Sequence, residues 1–323
     1  MIGSKFPKQV SSSVALVHRA GLLRPGVWQF IRQEGDTIVL RHQHAGPPPD
    51  ALADLIPNSR KGKLVLFPRT RMPPTLVDGF SADWMLLRSR TVLAVDSTSR
   101  NVARVNSAPY VSLDYELYRE RFSLHVPSVP FSVIPGRIGI IEEFVDGTKP
   151  ALLEEEDRTR VSLSLLNSLT QVVIHEQAQE AGQLLTRVCP TSPLSAARTL
   201  GKDIIRTFGD WPLVPTHADL GGDNILVSSE GPTVIDFGNL RPGLPVEDTL
   251  RLYHVLGNDG LYSREDLLEV CAKAASVKPC FGDNFFRLLS VATAALSLAA
   301  MGGISPDRIK KTYAKWDRNV GSE

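Results

Sequence analysis

The chain has 323 residues, 42% of them hydrophobic and 22% charged, enough to bury a large core in one large or two modest domains. A net charge of +1 gives no general field for a nucleic-acid backbone or an anionic membrane, so neither is expected as a partner. Three widely spaced cysteines, Cys189, Cys271 and Cys280, form no C-x-x-C pattern; they read as reduced thiols of a cytoplasmic protein, not as a zinc site or a disulfide framework.

The chain opens with a brief apolar stretch, Val14 to Val17, broken by His18 and Arg19, which does not read as a signal peptide. Val27 to Ile31 and Thr37 to Leu40 flank Glu34-Gly35-Asp36, a hairpin signal. Gly46-Pro47-Pro48-Pro49 marks a linker or rigid turn, and Lys63 to Phe67 is a third strand candidate ahead of Pro68, Pro73 and Pro74. Two clearer strands follow, Thr91 to Val95 and Asn101 to Val105, joined by the polar turn Asp96 to Arg100. Leu113 to Phe122 reads as a short helix, with Leu113 and Leu117, and Glu116 and Glu120, at helical spacing.

No G-x-G-x-x-G and no G-x-x-x-x-G-K-[ST] occurs, which argues against a dinucleotide fold and against the P-loop NTPases. The turns Asp78 to Ser81 and Asp96 to Ser99 remain as weak phosphate-loop candidates. From Thr148 to about Gly209 the apolar residues, Leu163, Leu165, Leu166, Leu169, Val172 and Val173 among them, recur near a helical period. The acidic run Glu154 to Asp157 reads as a solvated helix start complementing the dipole. Further helices are expected over Thr249 to Leu256, Arg264 to Ala275, Asp283 to Ala300 and Pro306 to Trp316. The apolar run Leu288 to Met301 is shorter than the ~20 residues a bilayer needs and reads as a buried helix.

The most informative stretch is Val214 to Asp248. It holds H-x-D at His217 and Asp219, Asn224 five residues after that Asp, and D-F-G opening at Asp236. Ile225-Leu226-Val227 and Thr233-Val234-Ile235 read as two strands with a hairpin turn over Ser228 to Pro232. Such a hairpin brings the loop before its first strand beside the loop after its second, so Asp219, Asn224 and Asp236 are expected to converge. Their oxygen groups suit a hard cation such as Mg²⁺.

These residues and spacings resemble the catalytic core of the kinase-like phosphotransferases, in particular the aminoglycoside phosphotransferase and choline kinase group, whose loop is H-G-D-x-x-x-x-N. Here Ala218 stands where that family frequently has Gly. The resemblance implies an α+β, two-lobed protein-kinase-like fold: a small mixed β-sheet lobe over residues 81–145 and a larger, mainly helical catalytic and substrate lobe over 146–323. Residues 1–80 would be an N-terminal extension of unassigned role, with a separate binding module as the alternative.

By the same resemblance Asp219 positions the acceptor hydroxyl and takes its proton, Asn224 and Asp236 hold Mg²⁺, and the nucleotide is ATP, with GTP as the alternative. His217 and Asp248 are given structural roles. Arg104 stands where the family has a phosphate-gripping Lys, keeping the charge but changing its geometry. Glu116, with Glu120 as the alternative, would face Arg104, and Glu142, Glu143, Phe144 and Val145 would form the hinge whose backbone reads adenine. The implied activity is phosphorylation of a hydroxyl on an aminoglycoside, sugar or amino-alcohol acceptor. The rival is a degenerate kinase fold that binds a nucleotide or a protein partner without transfer.

Overall fold

The structure, a computed structural model, describes residues 17, 20, 22, 27–34, 37–43, 45, 64–66, 80–87, 91–106, 113–134, 136, 138–177, 179–255, 263–278, 284–300 and 306–316. The Gly35-Asp36 turn, the Gly46–Pro49 linker, Pro68, Pro73, Pro74, Asp78, Gly79 and Cys280 lie outside the described residues. The chain divides into two compact units, Met1–Leu113 with Val129–Gly147 and Asp114–Ser128 with Thr148–Glu323. One is built on a sheet and the other is mainly helical, which is the two-lobed kinase-like architecture with its N-terminal extension.

The first unit holds β1 (Val27–Glu34), β2 (Thr37–His42), β3 (Leu64–Leu66), β4 (Trp84–Leu87), β5 (Thr91–Asp96), β6 (Asn101–Asn106), β7 (Phe131–Val133) and β8 (Gly139–Glu143). They form one sheet in the order β3-β1-β2-β4-β5-β6-β8-β7, every neighbouring pair antiparallel. The extension is therefore not a separate module: β1 to β3 continue the sheet past β4. Trp28, Ile38 and Leu40 share one core with Met85, Leu87, Val92, Ala94, Ala103 and Val105.

Alternation along the strands explains the other face, where Val39, Trp84, Leu86 and Val95 make a smaller cluster. Period-two patterning is lost in β4 because both of its faces are covered, so it reads as an unbroken apolar run. Arg104 follows the same alternation. It lies between buried Ala103 and Val105 but on the opposite face, with Val102, and it pairs across to Leu93 and Ile140.

The second unit opens with α1 (Leu113–Ser123) and continues with α2 (Glu155–His175), β9 (Gln179–Glu180), α3 (Ala181–Thr191) and α4 (Ser195–Phe208). The stretch expected to be helical up to Gly209 thus breaks into three helices. Next come β10 (Pro212–Thr216), β11 (Ile225–Ser228), β12 (Gly231–Val234), β13 (Arg241–Gly243) and α5 (Val246–Val255). The unit closes with α6 (Arg264–Ala274), α7 (Phe285–Ala300) and α8 (Pro306–Trp316). Its core joins α3, α4, α6 and α7 through Leu185, Ile204, Phe208, Leu268, Phe285 and Leu289. Twelve of the sixteen residues of α7 are buried, as its apolar composition predicts. Among the described residues no helix is long and apolar enough to cross a membrane.

Gly139 shows how tightly the sheet is drawn together. A Cβ there would fall on the backbone carbonyl oxygen of Arg104, so β8 reaches this register only with glycine at that position. Gly139→Ala is expected to destabilise the protein by about 2 kcal/mol or more, because backbone on both sides of the clash is held in the ladder. Urea melts check this, and an unchanged midpoint would contradict the packing.

Candidate active site

Two β-pairs frame the candidate site within the second unit. β10 pairs antiparallel with β13, Thr216 opposite Arg241, and β11 pairs with β12, Ile225 opposite Val234. His217 to Asn224 therefore leaves one pair and enters the other, and Ile235 to Leu240 makes the return. The hairpin turn is tighter than expected: Ser228 and Gly231 still pair, leaving Ser229 and Glu230 between them. The hairpin is also held from both sides. Thr148 and Val227 exchange backbone hydrogen bonds of 2.8 and 2.9 Å, and the Val234 N–H donates to the Pro127 carbonyl at 2.8 Å.

At the open end of the hairpin the sequence-predicted residues come together. The Ile235 N–H donates to the Asn224 carbonyl at 3.0 Å, which brings Asp236 to the neighbourhood of Asn224. The Asn224 side chain donates through Nδ2 to the Asp219 carbonyl at 2.7 Å, so its amide oxygen is turned away from that bond. His217 closes the set. Its Nε2 donates to the Ile235 carbonyl at 2.9 Å, leaving Nδ1 to accept the Asp219 N–H at 3.3 Å. This pattern fixes the tautomer. Burial lowers the His217 pKa to about 4, against the opposing pull of Ile235, Asp219 and Asp236. His217 is thus a neutral strut, as its structural assignment implied.

Asp248 holds the same loop from beneath. It stands in the first turn of α5, which begins three residues earlier than the sequence pattern suggested. Its carboxylate accepts the His217 N–H at 2.6 Å and the Ala218 N–H at 3.0 Å. Burial pushes its pKa up to about 7, while those two donors and Arg251 pull toward the charged form.

Ala218 and Asp236 both have left-handed backbone, with φ of 58° and 61°. Asp tolerates that region, whereas Ala pays for its Cβ there, which supplies a physical reason for the family's Gly at the first position.

Residues that sequence reasoning passed over complete the surroundings. Asp219 is held at both oxygens: Arg251 Nη1 donates to Oδ1 at 3.2 Å and Asn239 Nδ2 to Oδ2 at 3.1 Å. Arg119 is fully buried, its Cζ 3.1 Å from the centroid of the Phe237 ring. Phe237 also meets Phe122 edge-on at 5.5 Å and His217 at 4.7 Å. On α1, Tyr115, Arg119 and Phe122 are buried, while Leu117 is exposed. Glu116 is half-buried and Glu120 exposed. A signal for Arg251 was present, since it lies one helical turn after Asp248.

Hydrogen bonds already made bear on two nucleotide-binding expectations. The Asp96–Ser99 turn is not a free phosphate cradle, because the Ser97 N–H donates to Asp83 at 3.1 Å and those of Thr98 and Ser99 to Asp96 at 3.0 Å each. At the hinge, the Phe144 N–H is engaged by the Arg100 carbonyl at 2.6 Å. Alternation of bonded and non-bonded pairs then directs the Glu143 N–H and C=O away from β6, past the last paired residue of β7, Phe131. Glu143 supplies the exposed backbone edge, whereas the Glu142 side chain is buried and Phe144 and Val145 are half-buried. Glu156 and Asp157 are both engaged by Arg160 at the start of α2, in keeping with a solvated helix start.

Residues 146–269 match the family model described as the phosphotransferase enzyme family. Over those residues the chain is similar to that family. The matched residues run from Thr148 beside the hairpin to Arg251 on α5 and beyond, and leave out Arg119, Phe122 and Pro127. No curated protein matches the chain. Among solved structures, a choline kinase from Streptococcus pneumoniae is 12% identical with a TM-score of 0.44, over 73% of this chain and 90% of that one. A macrolide 2'-phosphotransferase from Brachybacterium faecium is 15% identical with a TM-score of 0.42, over 72% and 89%. An ethanolamine kinase from Plasmodium vivax is 13% identical with a TM-score of 0.41, over 71% and 78%. Likenesses this distant carry no information about the acceptor.

Two outcomes follow for the loop from His217 to Asn224. Ala218→Gly is expected to stabilise the protein by up to about 1 kcal/mol, relief of the left-handed Cβ outweighing glycine's chain entropy; a lower urea midpoint would contradict it. For His217, a folded pKa of about 4 against 6.5 when unfolded means that protons favour the unfolded chain as pH falls from 6.5. The stability advantage of wild type over His217→Asn should therefore narrow by up to about 3 kcal/mol between pH 6.5 and 4. Parallel stability curves across that range would exclude this origin.

Proposed function

We propose that the protein transfers the terminal phosphoryl group of Mg-ATP to a hydroxyl of a small molecule of aminoglycoside, sugar or amino-alcohol type. One observation carries the reading: an Asp219 carboxylate held at the mouth of a hairpin whose open end joins Asn224 and Asp236. The donor set fits the implied cation. One carboxylate and one amide oxygen are what Mg²⁺ takes from a protein when phosphates and water fill its other positions. Bound there, Mg²⁺ would neutralise charge on the phosphates.

The side chains of this chain would do the rest by position. Asp219 accepts a hydrogen bond from the acceptor hydroxyl and takes its proton as the O–H bond breaks. A bond forms between that oxygen and the γ-phosphorus, and the bridging oxygen leaves with ADP. Asn224 and Asp236 would hold the cation through their side-chain oxygens. Arg104, Glu116 and the Glu142–Val145 segment retain nucleotide-contacting roles in the proposal, each on its own unit, with Glu143 supplying backbone edge for the base. A cytoplasmic location belongs to the same proposal, supported by the unpaired thiols of Cys189 and Cys271.

A second reading, nucleotide binding without transfer, draws on Arg104 in place of a lysine and on the prior engagement of both Asp219 oxygens. Mass spectrometry of full-length protein incubated with Mg-ATP and a panel of such acceptors separates the two. Transfer is expected, with Asp219→Asn reducing it by about 100-fold or more, and Asp236→Asn abolishing the Mg²⁺ dependence of nucleotide binding. An Asp219→Asn variant that transfers phosphate at the wild-type rate would remove the proposed base; nucleotide binding with no transfer to any acceptor would favour the second reading.

A further inference from the structure

Asp219 is pinned at every polar group it has. Its N–H is taken by His217 Nδ1, and its carbonyl accepts from Gly221 N and Asn224 Nδ2, both at 2.7 Å. Those bonds fix where the backbone runs and leave the side-chain torsions free. Arg251 and Asn239 act on the torsions instead, one on each oxygen. The two donors differ in setting. The Arg251 side chain is only 6% exposed, on the buried face of α5, whereas Asp219 is 33% exposed. Each carboxylate oxygen thus has a donor that fixes it from the protein side.

We propose that Arg251 is a positioning residue for phosphoryl transfer, its guanidinium fixing the Asp219 carboxylate through Oδ1 while Asn239 secures Oδ2. This rests on the proposed role of Asp219 and adds to it residues not otherwise assigned to the site. Asp248 already holds the loop by the backbone N–H groups of His217 and Ala218, so the bond from Arg251 to the carboxylate duplicates none of that support. What it adds is the angle at which Asp219 meets an acceptor oxygen. A misplacement of about 1 Å at such a group costs on the order of 100-fold in rate.

The test uses the full chain and needs no knowledge of the acceptor, because water can take its place: phosphate release from Mg-ATP is measured beside binding of Mg-AMP-PNP by calorimetry. Arg251→Met is expected to lower kcat by about 30-fold or more, with the KM for ATP and the analogue affinity within about twofold of wild type. Arg251→Lys should recover part of the loss, and Asn239→Ala, which alters an exposed contact, should show a smaller loss of the same kind. In an Asp219→Asn background, Arg251→Met should cause no further loss, since the group it orients is already gone.

Other outcomes overturn the inference. Losses that multiply in the double variant, or a fall in analogue affinity that matches the fall in kcat, would make Arg251 a structural residue only. If Arg251→Met does not fold, Arg251→Lys and Asn239→Ala decide the matter, and full activity in both sinks the proposal. An inactive Asp219→Asn beside a fully active Arg251→Met removes this inference and leaves the proposed function standing. Equal phosphate release by wild type and Asp219→Asn removes both.

Discussion

The site depends first on one carboxylate that does no chemistry. Asp248 accepts two consecutive backbone N–H groups, those of His217 and Ala218, at the point where the chain leaves β10. Consecutive N–H groups can face one anion only if the backbone curls, and the left-handed Ala218 supplies that curl. With it in place the following residue must emerge on the far side of the loop, which is how Asp219 comes to be accessible while His217 and Ala218 are buried. The position of Asp248 depends in turn on β13 and the start of α5, where the Leu244 N–H donates to Glu247 at 2.9 Å and Arg241 pairs with Glu247 at 2.6 Å. Arg241 also reaches Ser297 on α7 at 2.8 Å. The loop is therefore referenced through a buried polar chain to the most apolar helix of the unit.

Stability alone does not account for that chain. Burying an ion pair costs about as much in lost hydration as it returns in attraction, and well-packed apolar side chains can often replace one without loss. Glu247 and Asp248 nevertheless lie side by side in the interior, with Arg241 and Arg251 facing them. Apolar packing tolerates small slides, whereas a carboxylate that accepts two fixed N–H groups does not, so the arrangement exchanges stability for a defined loop. Gly243 belongs to the same economy of space: a Cβ there would come within 2.7 to 2.9 Å of Thr216, Arg241 and Glu247.

Legibility in the sequence followed the range of the interaction. The β11–β12 hairpin, α1, α6 and α8 were readable because turn chemistry and periodicity are local. The convergence of Asp219, Asn224 and Asp236 was readable too, since a single hairpin enforces it. What escaped were features fixed by partners distant in sequence. Burial of Arg119 on α1 was not readable, because a guanidinium is ordinarily exposed and the Phe237 ring that it meets lies more than a hundred residues away. The polar turn at Asp96 to Ser99 has the composition of a receptive loop, but Asp83, which precedes β4, and Asp96 itself already take its N–H groups. The strands at residues 27–66 gave no hint that they extend an existing sheet, because an edge that accepts them carries no sequence signature.

Phe237 shows why α1 belongs with the loop that carries Asp219. Its ring takes the Arg119 guanidinium on one face, meets Phe122 edge-on and lies against His217, so three contacts from two elements converge on the residue after Asp236. The left-handed backbone at Asp236 leaves that ring little freedom, since turning it away would require the residue before it to leave φ near 61°. The helix bearing Glu116 cannot slide by a turn without exchanging Arg119 and Phe122 for other side chains beneath the ring. Loss of either would free the D-F-G turn and, through the His217 bond to Ile235, the frame on which Asp219 stands. Asp236 and Asp219 are thus coupled through one aromatic ring and one neutral histidine, neither of which touches substrate in the proposed reaction.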